Sequence, residues 1–435
     1  MNTVSQLLNF LLLANANVRY VVTGMVLLGA SAGVVGCFTL LRRRALAGDA
    51  IAHSVLPGVC LAFMLTGVKN PFVLLAGAVA TGWLSLWVID VISANSRIKP
   101  DTAIGLVLSV FFGVGILLLT VIQQSGNAAQ SGLDKFLFGK AASMLSSDVY
   151  VFGTLAALII TVVALLFKHF TLLAFDENFA RVIGLPVRAL ETLLATLTVL
   201  AVATGIQAVG VVLMSAMLIT PAAAARFWTN RLRVMLPLAA LFGAVAGVAG
   251  AFISYLMPAM PTGPWVVVAL TFIALVSMLF APKRGLLAKW LQNRQNRLKM
   301  LEENVLKMFY YLYEQQTTPQ LPLTAGIEQL LTIRNVPLPQ LKTGLRRLKA
   351  KKWIVAQQGV SGWQLTPAGM EKARHVVRLH RLWELYLSQH LKLAADHVHD
   401  DAEAMEHLLT PEMEQQLDNL LGYPHTDPHN SNIPR

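Results

Sequence analysis

Four residues near the end of the sequence, His399, Glu403, Glu406 and His407, stand at i, i+4, i+7 and i+8. On a helix that spacing gathers them into one stripe. An upstream pair, His380 and Glu384, is again four residues apart, so two facing helices could enclose a cation with nitrogen and oxygen ligands. Such a set suits Mn²⁺, Fe²⁺ or Zn²⁺, and the lack of a thiolate argues against Cu(I). The plain alternative is a solvated acidic face with scattered histidines; four ligand-capable residues on one stripe count against it. A third pair, Asp49 and His53, has the same spacing inside an apolar stretch. Ionisable groups in such a stretch usually line a substrate path. A helix N-cap by Asp49 beside a packed histidine would explain the same spacing.

The elements that must carry these residues differ sharply along the chain. Of its 435 residues 55% are hydrophobic and only 13% charged, against about 25% charged in ordinary globular domains. Residues 1–282 hold 15 of the 35 Lys and Arg and 8 of the 23 Asp and Glu; the remainder holds 20 and 15. The first two-thirds is membrane-like and the last third has the composition of a soluble domain. Apolar runs recur at Val18–Leu41, Ile51–Leu65, Phe72–Ile92, Ala103–Ile122, Val149–Phe167, Leu190–Thr204, Val209–Ala225, Val234–Leu256 and Trp265–Phe280. They predict an all-α polytopic membrane protein with eight or nine transmembrane helices. Basic clusters at Arg42–Arg44, Arg97/Lys99, Lys168, Arg181/Arg188, Arg226/Arg231/Arg233 and Lys283/Arg284 should face the cytoplasm. That orientation places Asp49 and His53 near the cytoplasmic end of the second span and everything after Lys283 inside the cell.

Composition also excludes. Cys37 and Cys60 both lie in apolar segments, which rules out a disulfide scaffold and any thiolate zinc motif. No charged segment followed by a small-residue cleavage site opens the sequence, so no cleaved leader is expected. The net charge of +12 does not by itself mean nucleic-acid binding, because retained loops of membrane proteins are basic too. No G-x-x-x-x-G-K-[ST] occurs, so this chain binds no nucleotide through a P-loop, and any ATP must be hydrolysed by a partner.

Three further stretches carry information. Asp176–Pro186 reads as a short polar amphipathic helix ended by Gly184 and Pro186; it could dock into a partner's groove or be a solvated loop. Gly205–Ala225 contains Gly210, Thr220-Pro221 and a run of alanines, as expected of a discontinuous helix broken by the proline or of close helix packing. After a charged helix, Leu286–Leu301, a winged-helix pattern follows. Val305–Tyr313 is apolar at helical spacing, Ile327–Leu331 and Leu338–Lys349 form a helix–turn–helix, and Trp353–Val355 with Trp363–Leu365 forms a wing. Lys342, Arg346, Arg347 and Lys349 on the second helix are candidate DNA contacts, although such helices also serve protein contact alone.

The blocks LRRRALAGDAIAHSVLPG, FDENFARVIGLPV and VGVVLMSAMLITPAAAARF, in that order within residues 18–282, resemble the permease family of manganese, zinc and iron ABC importers. The resemblance implies a homodimer or paired permease, two separate ATPase subunits, and an external metal-binding solute-binding protein. It also implies that Asp176, Glu177, Ala180, Gly184, Leu185 and Pro186 include or adjoin the helix that couples to the ATPase.

The runs LTPAGMEKARHVVRLHRLWELYL, VHDDAEAMEHLL and LGYPHTDPHNSNIP make residues 302–435 similar to the manganese- and iron-dependent repressors, the family of the diphtheria toxin repressor. By position, the resemblance makes His380, Glu403, Glu406 and His407 principal metal ligands, with Glu384 and His399 ancillary. Glu at position 403, which is Cys in some relatives, leans toward manganese over iron or zinc. Glu303 matches the first of an acidic pair on the family's first helix, but the second falls on Leu306, a side chain that cannot bind metal.

The expected organisation is a permease domain over residues 1–282 in the bacterial cytoplasmic (inner) membrane, surrounded by membrane lipid. A charged linker (283–301), a cytoplasmic winged-helix α+β domain (302–367) and a helical metal-binding and dimerisation domain (368–435) follow. The expected function is import of a divalent transition metal with a sensor domain that regulates transport. The alternatives are a membrane-tethered, metal-dependent transcription regulator and an inert dimerisation module.

Overall fold

The computed structural model describes residues 8–10, 12–42, 44, 46–67, 70–124, 139, 141, 144–257, 260–282, 284–316, 323–357, 362–390 and 411–434. The chain divides into two compact units, Met1–Lys289 and Trp290–Arg435. The first unit is helical: α1 (Ala16–Leu41), α2 (Ala47–Thr66), α3 (Pro71–Asn95), α4 (Pro100–Gln124), α5 (Ser146–Leu165), α6 (Phe167–Phe175), α7 (Glu177–Val182), α8 (Val187–Val209), α9 (Val211–Trp228), α10 (Leu232–Leu256) and α11 (Thr262–Phe280). Among the described residues, eight helices are long and apolar enough to cross a membrane (α1–α5, α8, α10 and α11), with α9 a shorter apolar helix. That agrees with the eight or nine spans expected from the apolar runs.

α1 packs on α10, α9, α8 and α5, while α2 packs on α3 and α4. Without a hydrophobic drive between helices in lipid, close approach of small residues must hold them together. Gly29 and Gly243 meet backbone to backbone where α1 crosses α10, and Gly58 and Gly77 do the same between α2 and α3; a Cβ on any of them would collide with the opposing main chain. The discontinuity expected around Thr220-Pro221 falls elsewhere. Pro221 lies inside α9, and the chain breaks at Gly210 (φ 89°) between α8 and α9. Only glycine adopts that dihedral at no steric cost, whereas the helix absorbs the proline.

Most of α12 (Leu286–Glu314) belongs to the second unit, and it runs unbroken through what the sequence divides into a charged helix and an apolar one. β1 (Thr324–Gly326), α13 (Ile327–Ile333), α14 (Leu338–Ala350), β2 (Ile354–Ala356), β3 (Gly362–Leu365), α15 (Pro367–His390) and α16 (Pro411–Leu421) complete that unit. The three strands form an antiparallel sheet in the order β1-β3-β2, with Ile354 opposite Leu365 and Ala325 opposite Trp363. The wing is therefore present, with a third strand that the sequence pattern did not mark. Val305, Leu306, Met308 and Phe309 of α12 pack with Leu341, Leu345 and Leu348 of α14 and with Met370, Ala373 and Val377 of α15 in one core.

Candidate functional site

Asp49 sits in the first turn of α2 and His53 one turn later. The His53 Nε2 lies 3.6 Å from Asp49 Oδ1, with the side chains 15% and 36% exposed. Phe112 of α4 meets the imidazole edge-on at 4.8 Å between centroids. The His53 Nδ1 is buried without a hydrogen-bond partner. A histidine retained for packing alone normally has its buried nitrogens satisfied, so this ring is better suited to a ligand's needs than to the core's. Pro57 lies inside the same helix and has no N–H to give the His53 carbonyl, which loses its usual helical donor. A proline four residues after a candidate ligand was the available sequence signal for that.

At the start of α2 the chain is held by long-range ion pairs. Arg42, just past α1, reaches Glu191 of α8 and, at 3.8 Å, Glu177 of α7; Arg44 pairs with Asp90 of α3 at 3.4 Å. Arg44, Asp90, Arg188 and Glu191 line one cleft together with Trp83 and Trp87. Through Arg42 and Glu177 the end of α1 is joined to the α6–α7 segment. There Asp176 accepts a hydrogen bond from the Phe179 N–H at 2.9 Å and caps α7, and Glu177 pairs with Arg181 at 2.6 Å. Ala180 is fully buried, whereas Phe175, Phe179, Val182 and Ile183 are 56%, 52%, 83% and 51% exposed. Gly184 takes φ +83°, a left-handed turn that ends the helix, and Pro186 after Leu185 opens α8. The expected polar helix is therefore a short capped helix anchored by Ala180, with an apolar outer face that the sequence reading overlooked.

In the second unit His380 and Glu384 face each other on α15, Nε2 to Oε1 at 3.1 Å, with side chains only 1% and 4% exposed. Burial of both groups demands compensation by partners or a cation. Glu303 is buried on α12, 3.9 Å from Lys299 at its nearer carboxylate oxygen. Leu306 is fully buried in the apolar core. His399, Glu403, Glu406 and His407 lie outside the described residues. Among the described residues no group of three or more His, Cys, Asp or Glu forms a metal cluster. The donors on α15 fit a divalent ion: a buried imidazole and a buried carboxylate in mutual contact are the donor types such ions take.

The basic helix α14 is only partly outward. Glu302, 1% exposed on α12, receives hydrogen bonds from Arg347 Nε at 2.6 Å and from the Lys351 ammonium. Lys349 stands over the Trp363 ring at 6.0 Å. Of the four candidate DNA contacts, Lys342 and Arg346 are exposed without such contacts among the described ones, while Arg347 is an internal ion-pair partner. Two arginines of α15 fasten the C-terminal segment. Arg378 donates to Asp418 and to the Pro434 carbonyl, and Arg381 to Glu314 and the Asn432 carbonyl. Burial opposes the charge on Arg381, but the Glu314 hydrogen bonds and carboxylate outweigh it and raise the guanidinium pKa further.

Residues 15–281 match the ABC 3 transport family, and residues 366–435 match the iron dependent repressor metal binding and dimerisation domain. The manganese transport system membrane protein MntC of Bacillus subtilis is 45% identical over 387 residues, covering 88% of this chain and 87% of that protein. The zinc transport system membrane protein TroC of Treponema pallidum is 45% identical over 293 residues, 67% of this chain and 97% of TroC. Among solved structures, PsaBC from Streptococcus pneumoniae in complex with Fab superposes with a TM-score of 0.59 at 35% identity, covering 66% of this chain and 99% of that one. The chain is thus a multi-pass membrane protein whose role is transport, not catalysis, and it belongs to the ABC 3 transport family with a repressor-type metal-binding and dimerisation domain at its C-terminal end.

Proposed function

We propose that this chain is the permease of an ABC importer for a divalent transition metal, manganese first and zinc or iron next, and that its C-terminal unit senses the same ion in the cytoplasm. The observation that carries the transport half is the Asp49–His53 pair with its unpartnered Nδ1, in the span of sequence shared with manganese and zinc permeases. A carboxylate oxygen and an imidazole nitrogen 3.6 Å apart nearly match the separation of about 3.4 Å between two ligands of one tetrahedral ion. Two protein ligands are too few to retain a transition metal, which takes four or more. That suits an ion in passage, and a second permease copy facing this one would double the set.

ATP hydrolysis belongs to two separate subunits. They dock on the segment Asp176, Glu177, Ala180, Gly184, Leu185 and Pro186, whose exposed Phe179 and Val182 offer an apolar footing. Arg42 ties that segment to the loop preceding Asp49, a short route from ATPase to metal path. An external solute-binding protein delivers the ion.

For the sensor, His380, Glu403, Glu406 and His407 hold the regulatory metal, with Glu384, His399 and Glu303 in support. A bound divalent ion would supply positive charge beside the buried Glu384 carboxylate. His380 and Glu384 are already gathered and dehydrated on α15, so binding has little further desolvation to oppose it. Leu306 supplies packing where the repressor family has an acidic residue, which lowers affinity and sets the sensor to respond at high metal. Manganese uptake into vesicles carrying the permease and its ATPase tests the transport half. Asp49→Ala and His53→Ala should abolish uptake while leaving assembly intact; uptake at the parent rate would refute the path assignment.

A further inference from the structure

The start of α12 carries an apolar patch that the interior of the protein does not use. Leu286, Leu287, Trp290 and Leu291 are 51%, 44%, 57% and 45% exposed, and they begin a few residues after Phe280, where the last membrane-crossing helix ends. At 100° per residue these four side chains fall within an arc of about 140°. Arg294 and Arg297 continue the same arc one and two turns further on, and the Arg294 guanidinium lies 5.6 Å from the centroid of the Trp290 ring. The opposite arc carries Gln292, Gln295, Asn296 and Lys299. No acidic residue occurs between Glu191 and Glu302.

An amphipathic helix with Leu and Trp on one face and Lys or Arg beside them is built for the bilayer interface. We propose that the first three turns of α12 lie in the headgroup region of the membrane, with Leu286, Leu287, Trp290 and Leu291 at the acyl boundary and Arg294 and Arg297 on the phosphates of anionic phospholipids. Two observations select lipid over a second copy of the helix. The patch begins only a few residues after a helix long and apolar enough to cross a membrane. Two copies facing each other would also oppose Arg294 and Arg297 to their own kind with no carboxylate to offset them, and like charges at such a face repel. Anionic lipid offers the missing negative charge and attracts each basic residue near its surface.

The test uses the full chain in vesicles of phosphatidylcholine alone or with about one-third phosphatidylglycerol. Cys37 and Cys60 are buried, so a fluorophore can be placed selectively at Leu287→Cys or Gln295→Cys. The Leu287→Cys label should be blue-shifted and quenched by a lipid-borne quencher, more strongly with phosphatidylglycerol, while the Gln295→Cys label stays in water. Arg294→Gln with Arg297→Gln should reduce the phosphatidylglycerol-dependent part about thirtyfold. Equal water exposure of both labels in both lipids would overturn the proposal, as would protection indifferent to phosphatidylglycerol. Efficient Leu287→Cys cross-linking between copies in detergent would also overturn it, by identifying the face as a protein contact.

Discussion

The two units each carry a carboxylate and an imidazole one helical turn apart, and they treat the pair in opposite ways. In the membrane unit Asp49 and His53 stand 3.6 Å apart with side chains 36% and 15% exposed. In the C-terminal unit His380 and Glu384 stand 3.1 Å apart at 1% and 4%. The same spacing on the same kind of element thus yields an open pair and a closed one. On the roles proposed above, the open pair must release what it binds and the closed pair must hold its ion long enough to report it. Burial makes that difference, because a dehydrated carboxylate costs more to leave without a counter-charge than a wet one.

The largest expected effect lies on the open side of the comparison. Asp49→Ala or His53→Ala should lower initial manganese uptake by more than about a hundredfold, to background, since loss of a direct ligand exceeds the tenfold to hundredfold typical of outer-shell changes. A modest fall would make the pair a structural one. On the closed side, His380→Gln should weaken manganese binding to the full-length protein about tenfold or more, read by calorimetry, with little change in uptake at low metal. Equal binding by variant and parent would remove His380 from the sensor.

Smaller effects separate ligands from their supports. Glu302→Ala strands Arg347 and Lys351, but both are about two-fifths exposed, so solvent offsets much of the loss. We expect about 1–2 kcal/mol lower stability of the C-terminal unit in denaturant without a change in metal affinity. An unchanged unfolding midpoint would show that the triad contributes nothing net. Arg42→Gln should leave the ATPase bound yet reduce ions moved per ATP by about threefold, the scale of about 0.6 kcal/mol in coupling. Unaltered stoichiometry would show that the Arg42 contacts are merely structural.

Much of this architecture was legible because it is periodic. The apolar runs announced the spans, and the i, i+4 pairs announced both α2 and α15. The wing was visible from Trp353–Val355 and Trp363–Leu365, although β1 (Thr324–Gly326) is too short to leave a pattern. What escaped was non-local or compensated. Arg42 and Glu191 are 149 positions apart and Arg347 and Glu302 are 45 apart, and no local pattern links such partners. The change from charged to apolar residues near 301 looked like a boundary. A helix can change its surroundings without ending, and α12 does so. At Thr220-Pro221 the proline signal was real but the helix tolerated it, while Gly210 broke the chain because its backbone angle is one that other residues avoid.

We propose that one chain carries a path for the metal and a sensor for the same metal, and that the second restrains the first. It is tested most directly by the initial rate of manganese uptake as manganese is raised on the C-terminal side, for parent and for Glu406→Ala with His407→Ala. The parent rate should fall as the sensor fills, whereas the variant should keep its full rate throughout. Curves that coincide at every concentration would contradict it.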